Sequence, residues 1–196
     1  MTRESKGVLI AAGALAPLVH LGTLLILGAV WPGYDHTSHA ISELGMSSAE
    51  VSPFMNIVGF GATGLLVSTF GFAFVGVLEI GGLSLIATTA WLGAGLSFAA
   101  LGLWPYPEFR HLEVLLYCSI LAIVAMISAT LALSLEIRSR LLWPLTVVAV
   151  LAVASYLWLP SYGERFGLIQ RVHLGGIVLW LELAAFHLWR IRQHEV

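Results

Sequence analysis

Charge is what this sequence has least of. Asp, Glu, Lys and Arg make up 10% of its 196 residues, against roughly a quarter in an ordinary soluble domain. The chain is 59% hydrophobic with a mean hydropathy of +0.93, so it has too little polar surface to cover its outside in water. Most of that outside must therefore face lipid. Basic residues are scarce too, nine Lys and Arg against eleven Asp and Glu. That leaves no patch to neutralise phosphates and excludes nucleic acid as a partner. Cys118 is the single cysteine and sits in an apolar run, so no disulfide can close within the chain. The first apolar run, about 24 residues, exceeds the 7–15 of a signal-peptide core and reads as a retained membrane span.

What is present is a series of apolar runs. Six reach the ~20 residues a helix needs to cross the hydrocarbon, at roughly 8–31, 54–78, 81–104, 112–135, 142–160 and 167–189. The runs are continuous and lack the ten-residue alternation of barrel strands. A helix also satisfies its own backbone in lipid. The expectation is an all-α polytopic membrane protein. It forms one domain over 1–196, a six-transmembrane-helix bundle with a structured extracytoplasmic first loop. Arg3, Lys6, Arg138, Arg140, Arg190 and Arg192 fall on one side, and Arg110, Arg165 and Arg171 on the other. That bias places both termini in the cytoplasm and the chain in the cell membrane. Small residues, among them Gly59, Gly64 and Gly71 in span two and Gly93, Gly95 and Gly102 in span three, let backbones approach. They place these two spans near the bundle centre.

The polar residues gather in WPGYDHTSHAISELG, residues 31–45. Pro32-Gly33 breaks span one. Thr37 or Ser38 can cap a short helix that Gly45 ends. On such a helix His36, His39 and Glu43 fall at i, i+3 and i+7 and share a face. Ser47 and Glu50 then match a capping-box spacing. At the same membrane level come His111, with Glu113 near it, and His173, just after Gln170 and Arg171. Tyr106, Tyr162, Glu164 and Arg165 line the same side. Histidine with carboxylate suits Zn²⁺, so His36, His39, His111 and His173 are the candidate metal ligands. Bound Zn²⁺ would yield hydroxide near neutral pH. Ser38 or Ser42 would then act as nucleophile or oxyanion donor beside Glu43. Asp35, Asn56, Gln170 and Arg171 are candidate ligand-binding residues, with Asn56 tying the start of span two to the loop. The plainer alternative is that these groups bond one another and hold the loop on the bundle.

Two polar residues lie deeper. His20 sits mid-span, three residues after Pro17, and Glu182 is the one carboxylate well inside a span. Intramembrane ionisable groups face the bundle or a cavity and are functional candidates by default. A pair or proton path between them is one reading; a local hydrogen bond for His20 is the other. No two histidines at matched depth on partner helices point to haem. His187 and His194 read as interface anchors.

YDHTSHAISELG after a first span, followed by Pro53-Phe-Met-Asn56, resembles the prokaryotic membrane family known as domain of unknown function 998. Gly167-Leu-Ile-Gln-Arg171, Trp180 and His111 fit the same pattern, and the resemblance covers essentially the whole chain. The segment LWPYPEFRH departs from it, lacking the Cys- and Asp-bearing stretch of many members. More remotely, the ISELG region is similar to the first outer loop of Frag/DRAM/Sfk-type membrane proteins. The resemblance implies six helices and a folded first loop, and marks His36, Ser38, Ser42, Glu43, Asn56, His111, Gln170 and Arg171. Three functions follow as expectations. The first is an outer-face pocket that binds or modifies a lipid head group, with metal-assisted hydrolysis if it is an enzyme. The second is a non-catalytic scaffold or accessory protein, as a homo-oligomer or with a membrane partner. The third is a proton-linked transporter using His20 and Glu182.

Overall fold

A computed structural model describes residues 1–78, 81–137, 142–158 and 166–193, and among these all regular structure is helical. Arg138, Arg140, Tyr162, Glu164, Arg165 and His194, which entered the sequence reading, lie outside the described residues. Helix α1 runs Arg3–Val30 behind Thr2, whose hydroxyl accepts from the Ser5 N–H at 3.2 Å. It ends at Trp31-Pro32, and Gly33 takes φ +80°, a conformation glycine adopts without steric cost. Helix α2 is Ser52–Val77, started by Pro53 and widened into a π-helix over Met55–Ala62. Helix α3, Gly82–Ala100, runs on into a 3-10 turn at Leu101–Leu103. Helices α4 (Phe109–Ile137), α5 (Leu142–Trp158) and α6 (Phe166–Gln193) follow.

Each helix packs on the next in sequence, and α6 returns to α1, so the six close into a ring. The two ends of the chain meet: Arg3 Nη2 donates to Gln193 Oε1 at 2.9 Å. This face is called the terminal end below, and the opposite one the loop end. The outside of the ring is apolar. Leu18 is 63% exposed, Ile57 70%, Leu96 50%, Leu116 42%, Leu151 63% and Leu179 57%, one from each helix. Helices that are hydrophobic all round belong in lipid. Five of the helices are long and apolar enough to cross a membrane; α5 is apolar but has 17 residues.

Two apolar cores fill the ring. Toward the terminal end, Phe70, Phe74, Trp91, Met126, Trp180 and Leu188 are buried together. Trp180 donates its indole N–H to Thr146 Oγ1 at 2.8 Å, which satisfies a polar atom that burial would otherwise penalise. Toward the loop end, Leu24, Leu27, Leu44, Met55, Phe60 and Leu101 form the second core. Between α2 and α3 the backbones nearly touch: a Cβ on Gly64 would lie 2.5 Å from the Ala99 nitrogen. The small residues of spans two and three thus face each other. Of the two helices α2 is the more enclosed, 56% of its apolar window being buried against 39% for α3 and for α1. Both helices also turn apolar side chains outward, Leu65 and Phe72 on α2 and Leu85 and Leu96 on α3, as members of the ring.

Candidate functional site

The loop between α1 and α2 begins with a turn organised by Asp35. Its Oδ1 accepts from the Thr37 N–H at 2.8 Å, and its Oδ2 from the Ser38 hydroxyl at 3.0 Å. These bonds to the ionised form hold its carboxyl below the ordinary carboxylate value. The Asp35 N–H donates to His39 Nδ1 at 2.8 Å, so the neutral His39 ring carries its hydrogen on Nε2. The expected helix is therefore shorter than its sequence spacing predicts. A 3-10 helix spans Ile41–Gly45, and Glu43 caps it by accepting from the Ala40 N–H at 2.7 Å. Of His36, His39 and Glu43, only Glu43 lies on it. The Asp35 side chain offers the backbone an alternative to helical bonding just where the helix would have started. The Ser47–Glu50 capping box does not form either. Residues 46–50 make consecutive turns, with the Ala49 N–H on the Met46 carbonyl, and Ser52-Pro53 open α2.

The loop is fastened to the start of α6. The first N–H groups of a helix lack partners within it. Here the Leu168 N–H donates to the Thr37 carbonyl at 2.8 Å and the Gly167 N–H to the Ser38 carbonyl at 3.3 Å. The Ile41 N–H donates to Gln170 Oε1 at 2.6 Å. A Cβ on residue 167 would collide with the His39 carbonyl oxygen, so glycine permits this approach. Arg171 is the hub. It donates to the His39 carbonyl at 3.0 Å, the Tyr34 hydroxyl at 2.6 Å and His36 Nδ1 at 3.0 Å. Burial, then the Arg171 charge, lower the His36 pKa. Burial also raises the pKa of the Tyr34 phenol, against the pull of Arg171. Tyr34 stacks on His39 with ring centroids 5.4 Å apart and donates to the Ala40 carbonyl at 3.0 Å. Asn56 Nδ2 donates to the Gly45 carbonyl at 3.1 Å and ties the other end of the loop to α2.

Under this lid lies a cavity of about 120 Å³ in the middle of the ring. His20, Phe60, Phe98, His111, Val153 and His173 bring one residue from each of the six helices to its wall. Ser42 and Gln170 line it as well. A second space of about 80 Å³ continues it toward the terminal end, sharing His20, Phe98, Cys118, Ala122, Leu174 and Ile177. The two adjoin between the two apolar cores and together make up the chamber, and among the described residues no charged one lines either part. His20 and His111 are each 2% exposed and His173 9%. His20 Nδ1 lies 2.8 Å from the Gly59 carbonyl. Gly59 belongs to the π segment, where the widened turn loosens the ordinary backbone ladder and lets a carbonyl turn to a side chain. His111 Nδ1 lies 2.8 Å from the Trp104 carbonyl.

The residues singled out by sequence thus fall into three groups. Asp35, His36, Ser38, His39, Glu43, Asn56 and Arg171 build the lid and its fastenings. His20, Ser42, His111, Gln170 and His173 face the chamber. Glu182 does neither. It lines an open groove between α1 and α6 with Gly7, Ala14 and Arg192, away from His20. The four imidazoles read as a metal set are split: His36 and His39 bond within the lid through Nδ1, while His111 and His173 lie in the chamber wall. Among the described residues, no group of three His, Cys, Asp or Glu side chains is placed to share one metal ion. Tyr34, Phe60 and Phe98 carry no sequence signal that marks them as site residues. Their proximity to the histidines appears only once the ring closes.

Apolar helices closed around an uncharged chamber, apolar outside as well as in, define a multi-pass helical membrane protein. The chain belongs to the family described as protein of unknown function (DUF998), whose model matches residues 10–187. That match takes in the lid, every helix and every candidate residue. No curated protein and no solved structure matches the chain.

Proposed function

We propose that this protein is an intramembrane binding protein for a small lipid-soluble molecule, held in the central chamber and enclosed by the first loop. The observation that carries the reading is the chamber itself. Protein interiors are close-packed, with few voids larger than a water molecule. The upper space alone, at about 120 Å³, equals the liquid volume of about four waters at ~30 Å³ each. Its walls are apolar, with a few polar groups converging at one end, which is the usual make-up of a ligand site. A diacyl phospholipid is too large for it; a single ring or the end of a chain fits. The polar loop then serves as a lid, because its side chains bond mainly to one another and to α6. Six crossings with both termini cytoplasmic would put the lid on the outer face, where a ligand in the outer leaflet meets it.

Filling the chamber tests this. Ala122 is buried and lines both spaces, so Ala122→Phe places a ring where the ligand would lie. Protein purified in lipid nanodiscs is expected to retain a lipid-soluble molecule, recovered by solvent extraction and mass spectrometry. The variant, folded by size exclusion and circular dichroism, should retain several-fold less. Equal retention by the two proteins, or none by the native chain, removes the reading.

A further inference from the structure

The chamber's hydrogen-bonding pattern is legible from its tautomers, and it narrows the ligand. A carbonyl oxygen only accepts, so His20 Nδ1, at 2.8 Å from the Gly59 carbonyl, must carry the hydrogen. Among the described residues, no charged one lines the chamber to hold an imidazolium there. The ring is then neutral, and Nε2 keeps its lone pair. His111 is held differently: its Nδ1 donates to the Trp104 carbonyl, and the Leu101 backbone is a second hydrogen-bond partner of the ring, so His20 is the imidazole that offers the chamber a lone pair. Both rings are almost wholly enclosed yet line the chamber. Phe60 stands between them, its centroid 6.4 Å from His20 and 6.2 Å from His111. At the lid end the polarity is complementary. Gln170 Oε1 is occupied by the Ile41 N–H, which leaves the amide N–H groups of Gln170 and the Ser42 hydroxyl as donors there.

Resting on the chamber-binding reading, we infer that the ligand is a neutral hydroxyl-bearing apolar molecule, a phenol or alcohol, whose O–H donates to the imidazole Nε2 of His20. A hydroxyl is the smallest group that both donates to such a lone pair and accepts from an amide N–H. A carboxylate or phosphate brings only acceptors to the His20 Nε2 and a charge that, among the described residues, no cation in the wall offsets. A ketone or ether leaves the buried acceptor unpaired, and a site built for a hydroxyl discriminates against the analogue lacking it for that reason. Phe60 and Phe98, 5.5 Å apart and edge to face, supply a flat apolar wall beside His20.

The test uses a matched pair, 4-hexylphenol and 4-hexylanisole, which differ in the O–H donor. Binding is measured by calorimetry on the full chain in nanodiscs, with empty nanodiscs subtracted. The phenol is expected to bind about three- to tenfold more tightly, the worth of one net hydrogen bond. In His20→Phe the preference should vanish, while His111→Phe, at a ring already held by the Trp104 and Leu101 backbone, should keep it. Nitrogen-15 spectra of labelled histidine should show an Nε2 shift on adding the phenol and none on adding the anisole. Equal binding of the two probes, or tighter anisole, overturns the hydroxyl assignment and leaves the chamber reading standing. Binding of neither probe, in a chain that Ala122→Phe also leaves unchanged, takes down both. If the phenylalanine variants fail to fold, the probe ratio and the spectra of the native chain still decide.

Discussion

Arg171 has no carboxylate partner among the described residues; its guanidinium instead grips a phenol, an imidazole and two carbonyls. An arginine can only donate, so His36 Nδ1 accepts and cannot be protonated without breaking that bond. This sets the sign of the pH dependence. The folded-state pKa of His36 is lowered from 6.5 by burial first and by Arg171 second, with Asp35 opposing. Its contribution to lid docking is thus fully present above pH 6.5 and is lost as pH falls through the lower folded value. Asp35 acts in the same direction further down. Its bonds to Thr37 and Ser38 hold it below 3.8, so its share is present above 3.8 and is lost as pH falls through that lower value. Protection factors at the Leu168 and Ile41 amides, whose carbonyl and Gln170 partners define docking, should fall on acidification from neutral pH once exchange is corrected for its intrinsic pH dependence. In Arg171→Met the exchange should be fast already at neutral pH, and thermal unfolding should show a loss of about 2–4 kcal/mol. Protection factors that stay constant between pH 7 and 4 in the native chain would show that the His36–Arg171 contact does not hold the lid.

At the scale of the helices, composition carried much of the answer. Long apolar runs admit few structures but helices in lipid, and the described helix ends lie within a few residues of those the hydropathy predicts. The facing of His36, His39 and Glu43 was not legible, because a periodicity argument assumes that the helix exists. Asp35, one residue earlier, diverts the backbone into a turn. The small residues of α2 and α3 were legible as a packing signal, and that contact makes its own prediction. A Cβ on Gly95 would come within 2.5 Å of the Gly64 carbonyl and the Ser68 nitrogen, both backbone atoms that cannot move independently. Gly95→Ala should therefore cost about 1–3 kcal/mol through overpacking. Gly22, in the interior of α1, has nothing within 4 Å of its added Cβ. Gly22→Ala should be neutral or stabilising by up to about 1 kcal/mol, the helix propensity difference. Unfolding in mixed detergent micelles measures both, and similar values for the two would remove the close α2–α3 contact as the cause.

At the scale of the whole molecule, ring closure decides what the sequence leaves open. His20, His111 and His173 are 153 residues apart at their extremes and belong to α1, α4 and α6, so no local pattern links them. The same closure bears on how many times the chain crosses. Arg3 and Gln193 touch, so both ends lie on one face of the bundle, and a chain that leaves and returns to one face crosses an even number of times. Five helices are long and apolar enough to cross, and five is odd, so the expected outcome is that α5 supplies a sixth crossing. At 1.5 Å per residue its 17 residues reach about 25 Å, a few ångströms short of a ~30 Å hydrocarbon core. Local thinning or flanking side chains accommodate such a mismatch at modest cost. Single cysteines introduced into a Cys118→Ala chain read the topology directly. Glu4→Cys and Gln193→Cys are expected to react with a membrane-impermeant maleimide from one face of sealed vesicles, and Ser47→Cys, exposed in the first loop, from the other. Should Gln193→Cys label with Ser47→Cys instead, the crossing number is odd, α5 lies outside the hydrocarbon, and the wall it gives the chamber through Val153 is lost with it.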